Sequence, residues 1–250
     1  MGTPAAGPAD VVRFLVFDIE TRVDKSLLNT IEYPGEGLSD AEAYDRRRAE
    51  LTESFGSDFV PVSYHVPVSI VLGTVDPQYV LRSVDVLGAD LLTEAEMTRV
   101  FWSRVESLAG TLVSFNGRGF DLPVMELQAL RHGCQAPRYF NDKNGLRSRW
   151  GGRHYDLHEF FTNSGAARLR GGFDLLCKIS GLPGKGEVAG ADVQRLWEAG
   201  RYDEVHRYCR SDVIQTYFLL LRAERMRGNL SQEAFRHAEE LSAPFLAAAS

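Results

Sequence analysis

The strongest constraint lies near the start of the chain. Residues 11–21 read VVRFLVFDIET, with Val11, Val12, Phe14, Leu15, Val16 and Phe17 apolar on both alternating faces. A strand that shows no polar face must be covered on both sides, so this segment belongs at the centre of a sheet with helices packed above and below. The run ends in Asp18-Ile19-Glu20. Residues i and i+2 of a strand point the same way, so two carboxylates sit side by side at the end of an apolar strand. Buried and unpaired, they would repel each other at high cost. A hard cation resolves that conflict, because Mg2+ and Mn2+ favour oxygen ligands. The spacing itself is common: Asp40-Ala41-Glu42 is a second instance, in a segment that reads as a solvated helix.

The remaining segments fill in an α/β mixture. Residues 22–60 carry eight acids and three arginines between Glu32 and Asp58 and read as a solvated helical insertion outside the core. Residues 65–75 and 79–87 are two strands joined by a turn at Asp76-Pro77, a hairpin. Residues 93–110 open with Thr93 and Glu96 in a capping-box pattern and form a helix. TLVSFN (111–116) is a short buried strand, and 121–133 is a helix with Pro123 in its first turn and Gly133 past its end. Residues 138–172 are loop-rich. Helices follow at about 172–181 and 190–199, then a long one over 201–228, then a last one that Pro244 limits. The order of elements predicts an antiparallel meander followed by a crossover to a parallel strand, flanked by helices. We expect a flexible N-terminus (1–10), a catalytic domain (11–228) and a C-terminal helical extension (229–250).

Composition excludes several classes. Hydrophobic residues are 44% and charged residues 25%, which is ordinary for a globular protein and rules out disorder or collagen-like repeats. The net charge of −6 excludes a uniformly basic coat but not a local basic patch. Cys134, Cys177 and Cys209 are odd in number and far apart, so neither a disulfide framework nor a thiolate zinc site is expected. With no leader-like segment and no run of about 20 apolar residues, a cytoplasmic, membrane-free setting is expected.

Two further stretches carry chemistry. In Asn116-Gly117-Arg118-Gly119-Phe120-Asp121 a buried strand runs into a glycine-bearing turn, with an acid at the helix start; alone, Asp121 would read as a helix cap. In Tyr208-Cys209-Arg210-Ser211-Asp212 the tyrosine and the acid are four apart and share a helix face. Gly184-Lys185-Gly186 lacks the spacing and the Ser/Thr of a phosphate-binding loop. Asp18, Glu20, Asp121 and Asp212 together suit a pair of divalent cations about 4 Å apart, the arrangement used for in-line phosphoryl displacement. Tyr208, ordinarily titrating near ~10, is better cast as a group that orients a water than as a base.

FDIET, NGRGFDLP and YCRSDVIQTY together resemble the three motifs of the DEDD exonuclease superfamily, of the DEDDy branch, and NGRGFDLP resembles the exonucleases related to the proofreading domain of family-B DNA polymerases. The resemblance covers about 11–222. It implies a ribonuclease-H-like fold and a metal-dependent 3′–5′ exonuclease that releases nucleoside monophosphates from single-stranded or frayed DNA. It also implies Asp18, Glu20, Asp121 and Asp212 as ligands of two Mg2+ or Mn2+ ions, Tyr208 as the group that positions the attacking water, and Thr21, Asn116 and Phe120 as contacts to the terminal nucleotide. A DNA-repair setting would follow.

Residues 138–172 hold seven basic against three acidic side chains, with aromatics interleaved. Arg147, Arg149 and Arg153 are therefore the expected lining of a single-strand groove. Three alternatives share these residues: an exoribonuclease, a non-catalytic nucleic-acid-binding module and a structure-selective endonuclease.

Overall fold

The computed structural model describes residues 12–89, 92–143, 145–186 and 188–248; the flexible N-terminus expected over 1–10 lies outside them. The apolar run becomes β1 (Phe14–Val23), followed by α1 (Lys25–Glu32) and α2 (Asp40–Phe55). β2 (His65–Val75) returns antiparallel along β1, and β3 (Leu81–Val86) pairs antiparallel with β2. After α3 (Glu94–Ser107), β4 (Thr111–Ser114) joins the other edge of β1 in parallel. Then come α4 (Asp121–His132), α5 (Pro137–Asn141) and β5 (His154–Asp156), which is parallel to β4. The chain ends with α6 (Leu157–Phe161), α7 (Gly172–Ile179), α8 (Val193–Glu198), α9 (Tyr202–Met226) and α10 (Gln232–Ala247). Among the described residues the sheet order is β3-β2-β1-β4-β5, with β1 in the middle. This is the mixed sheet, antiparallel meander plus parallel strands, of the ribonuclease-H-like class.

Period-two alternation sorts β1 between two cores. Phe14 and Val16 face the layer built from α7, α9 and α10, while Leu15, Phe17 and Ile19 face α3 and α4. Phe17 is fully buried, and burial of a side chain of that size is worth roughly 2–3 kcal/mol. Gly73 on β2 lets α9 approach closely, since a Cβ there would sit 3.2 Å from Val213. The capping box at α3 is formed: Thr93 N–H donates to Glu96 Oε2 (2.8 Å) and Glu96 N–H donates to Thr93 Oγ1 (3.3 Å).

Three expectations change. The segment 22–60 is helical but not merely a solvated face: Val23, Leu28, Tyr33, Ala43, Leu51 and Val60 bury a small core together with Tyr64 just beyond it. β5 lies inside the stretch read as loop; three residues are too few to show a period. Pro244 does not stop α10, which continues to Ala247. A proline so near the end costs a single N–H, that facing the Glu240 carbonyl. No described helix is long and apolar enough to cross a membrane.

Candidate active site

The parity that places Val16 against α9 does the same for Asp18 and Glu20. β4 ends at Ser114, so the β1 edge beside these acids is open. There the Ile19 N–H has no ladder partner and donates to Asp121 Oδ1 at 3.1 Å. Asp121, the first residue of α4, is thereby tied to β1 from the opposite layer. The β1–β2 register shifts between Glu20 and Thr21. Such a bulge re-aims the following side chain, and Thr21 meets His65 at the start of β2, Oγ1 to Nδ1 2.7 Å.

The turn that delivers Asp121 depends on its glycines. Asn116 adopts φ 63°, a left-handed conformation that asparagine tolerates better than most residues. A Cβ at Gly117 would collide with the Ser114 hydroxyl, and one at Gly119 would lie 2.7 Å from Asn116 Oδ1. Asp156, at the end of β5, holds the turn from beneath: its carboxylate accepts the N–H groups of Asn116 (2.8 Å), Arg118 (3.0 Å) and His158 (3.0 Å).

α9 supplies the fourth acid. Tyr208 and Asp212 share the face turned to β1, and the Tyr208 hydroxyl donates to Asp212. Beside them is Lys185, whose Nζ donates to the Tyr208 oxygen at 3.0 Å. Its backbone is clasped on both sides. Gln215 of α9 accepts the Gly184 N–H (2.6 Å) and donates to the Gly184 carbonyl (3.0 Å), and the Lys185 N–H donates to Asp174 Oδ1 (2.7 Å). Sequence reading missed Lys185. Its only signal was a lysine between two glycines, which points to a bent, accessible backbone but not to a location.

The electrostatics follow from this crowding. Asp18, Glu20 and Asp212 each bring a carboxylate oxygen within 4.8 Å of the others; Asp121 lines the same cleft outside that trio. Burial, then the charges of Asp121, Glu20 and Asp212, push the Asp18 carboxyl well above its usual range. Burial and then Asp212 and Asp121 do the same to Glu20, and Lys185 relieves it in part. Burial raises Asp121 to about 7, against the pull of the Ile19 N–H. It raises Asp212 to about 6, against the pull of Lys185 and Tyr208. The Tyr208 phenol is driven far upward by burial and by these anions, so it stays protonated and acts as a donor. Among the described residues of the cleft, four carboxylates face one ammonium. The donor set is all oxygen, and its surplus negative charge fits hard divalent cations.

The acids open onto a cleft of about 440 Å³ that also exposes Phe115, Asn116, Phe120, Phe173 and Lys185. A second cleft of about 610 Å³ adjoins it through Glu20, Asn116, Phe120 and Lys185. Its outer wall is Tyr44, Arg48 and Phe59 from the helical segment after β1, and Thr21 and His65 line it too. Thus Asp18, Glu20, Thr21, Asn116, Phe120, Asp121, Tyr208 and Asp212 come together.

Arg147, Arg149 and Arg153, the expected groove lining, line neither cleft. Arg147 pairs with Glu126 of α4 (2.9 Å) and Arg149 with Glu159 of α6 (3.0 Å). Arg153 donates to the carbonyls of Leu108, Ala109 and Gly110, at the far end of the parallel strands. Arg168 and Arg170 from the same stretch are exposed, just before Gly171 and Gly172 of the cleft wall.

Comparison with known proteins now has a geometry to meet. Residues 57–250 match the model of a family described as "Predicted 3′-5′ exonuclease related to the exonuclease domain of PolB". That span holds Asp121, Tyr208 and Asp212, while Asp18 and Glu20 precede it. The fold is similar to the family B DNA polymerase from the hyperthermophilic archaeon Pyrobaculum calidifontis, with a TM-score of 0.54 and 19% identity over 90% of this chain and 25% of that one. The chain therefore spans about a quarter of that polymerase's length. E. coli Exonuclease I in complex with a 5cy-dT13 oligonucleotide gives a TM-score of 0.44 and 13% identity, over 91% of this chain and 42% of that one. No curated protein matches the chain.

Proposed function

Because this chain belongs to the predicted 3′–5′ exonucleases related to the exonuclease domain of PolB, a DEDD-type family, we propose that it removes nucleoside monophosphates from the 3′ end of single-stranded or frayed DNA with the aid of two divalent cations, Mg2+ or Mn2+. The observation that carries the proposal is the convergence of four carboxylates from β1, α4 and α9 on one open cleft, offset among the described residues of its lining by Lys185 alone. A protein that merely bound nucleic acid would gain nothing from focused negative charge turned toward phosphates.

Asp18, Glu20 and Asp212 would hold one cation, and Asp121 completes the set for a second. Bound there, the cations supply an acidified water and charge stabilisation of the leaving oxygen. The protein's own groups do the rest. Tyr208 accepts from Lys185 and gives its one proton to Asp212, which leaves a lone pair on its oxygen to orient the attacking water. Asn116, Thr21 and Phe120 receive the terminal nucleotide, with Phe120 offering a ring to the base. Lys185, Arg168 and Arg170 take the strand's phosphates.

The test is a digest of 5′-labelled and 3′-labelled DNA and RNA strands with Mg2+ or Mn2+. The 5′-labelled DNA should shorten stepwise, while the 3′ label is released at once as mononucleotide. Faster loss of RNA would move the substrate to RNA. Cleavage of circular single strands would make the enzyme an endonuclease, and no digestion with either metal would overturn the proposal.

A further inference from the structure

His65 opens β2 and is fixed on several sides. Its ring stacks on Phe59 (centroids 5.4 Å apart, planes at 24°) and meets Phe120 edge-on (5.4 Å, 81°). Gln128 Nε2 donates to its main-chain carbonyl at 3.2 Å. Its Nε2 lies 3.0 Å from the Val60 carbonyl oxygen and its Nδ1 2.7 Å from Thr21 Oγ1. A carbonyl can only accept, so Nε2 carries the ring proton. Burial disfavours a second proton and pushes the ring below its usual range. Nδ1 is therefore bare, and the Thr21 hydroxyl must donate its one proton to it. Lone pairs are all that Thr21 Oγ1 retains for a guest in the cleft that Thr21 and His65 both line beside Glu20.

We propose that His65 is a positioning residue that fixes the Thr21 hydroxyl as an acceptor, so that the cleft prefers a strand end that donates a hydrogen bond, the terminal sugar hydroxyl, over one that ends in a phosphate. The proposal rests on the exonuclease function above, which assigns this cleft to the 3′ end. A terminal phosphate brings acceptors and negative charge to a lone pair and the Glu20 carboxylate.

The experiment measures binding of 5′-fluorescent oligothymidylates, ending in a 3′-hydroxyl or a 3′-phosphate, to the full chain with Ca2+. The wild type should bind the hydroxyl end at least about tenfold more tightly, the size expected for one mispaired polar contact. His65→Phe keeps a ring between Phe59 and Phe120 but frees the Thr21 proton, and the ratio should fall several-fold. His65→Asn, whose Oδ1 can stand in for Nδ1, should restore part of it, which a merely structural role would not do. Should His65→Phe lose its cooperative melt, Thr21→Val, which removes the acceptor itself, carries the same expectation. No preference in the wild type, or an undiminished one in a folded His65→Phe or Thr21→Val, overturns the proposal. Digestion of the hydroxyl-ended strand with Mn2+ is run in parallel. Preference without digestion rejects the exonuclease function and keeps the positioning role, and digestion without preference does the reverse.

Discussion

Replacing Asp212 with Asn should abolish metal-dependent activity and yet stabilise the metal-free protein. Burial raises the Asp212 carboxyl from an ordinary 3.8 to about 6. The folded state thus binds this proton more tightly than the unfolded chain does, and ionisation weakens the fold. The penalty is absent below about pH 4, grows through the interval up to pH 6, and is complete by about pH 7. A rise of that size corresponds to about 3 kcal/mol, an upper figure because the cleft admits water. Asparagine removes the charge at every pH and keeps an oxygen for the Tyr208 hydroxyl. For a chain of this size the full gain would raise the melting temperature by roughly 6–12 °C, so at least about 3 °C is expected at pH 8 in EDTA, shrinking toward none near pH 4. Saturating Mn2+ should raise the wild-type melting temperature and move the variant much less. Melting curves at pH 4 to 8, with EDTA or Mn2+, read all of this. An Asp212→Asn protein that melts with or below the wild type at pH 8 in EDTA would refute the burial penalty assigned to this carboxylate and, with it, the need for a cation to offset it.

Asp18→Asn should lower turnover by at least about a thousandfold, whereas Tyr208→Phe should slow it about 10- to 100-fold with Mn2+ binding unchanged by calorimetry. Lys185→Ala should act in opposite directions on two affinities, tightening Mn2+ binding several-fold while raising KM for single strands, because one ammonium opposes the cations and attracts the phosphates; a common direction would count against its placement. Asp156→Ala leaves three backbone donors without a carboxylate and should cost about 3 kcal/mol in a denaturant titration. Arg168→Ala with Arg170→Ala should weaken single-strand binding and reduce its salt slope by roughly 1–2, while Arg153→Ala should lower stability alone, read as strand affinity against salt and as melting temperature.

The parts legible in the sequence are those whose chemistry is local. β1 announced itself because no residue from Phe14 to Phe17 is polar, and Asp18 and Glu20 stood out against that background. Tyr208 and Asp212 could be placed on one face because helix geometry links i and i+4. Lys185 and His65 were invisible for a common reason: each acquires its role from a partner far along the chain, Tyr208 in one case and Thr21 in the other. The arginines show the opposite limit. A surplus of basic residues in 138–172 says nothing about countercharges contributed from elsewhere, and Glu126 and the carbonyls of residues 108–110 had already engaged Arg147 and Arg153.

The double grip of Gln215 on Gly184 reaches beyond the placing of one lysine. Because Gln215 is on α9, the helix that bears Tyr208 and Asp212, and Asp174 of α7 holds the Lys185 N–H, a tilt of α9 together with α7 against the sheet carries an anion, its phenol partner and the compensating cation as one body. Thermal breathing of the helix then changes the spacing between the two halves of the site but not the charge balance within the moving half.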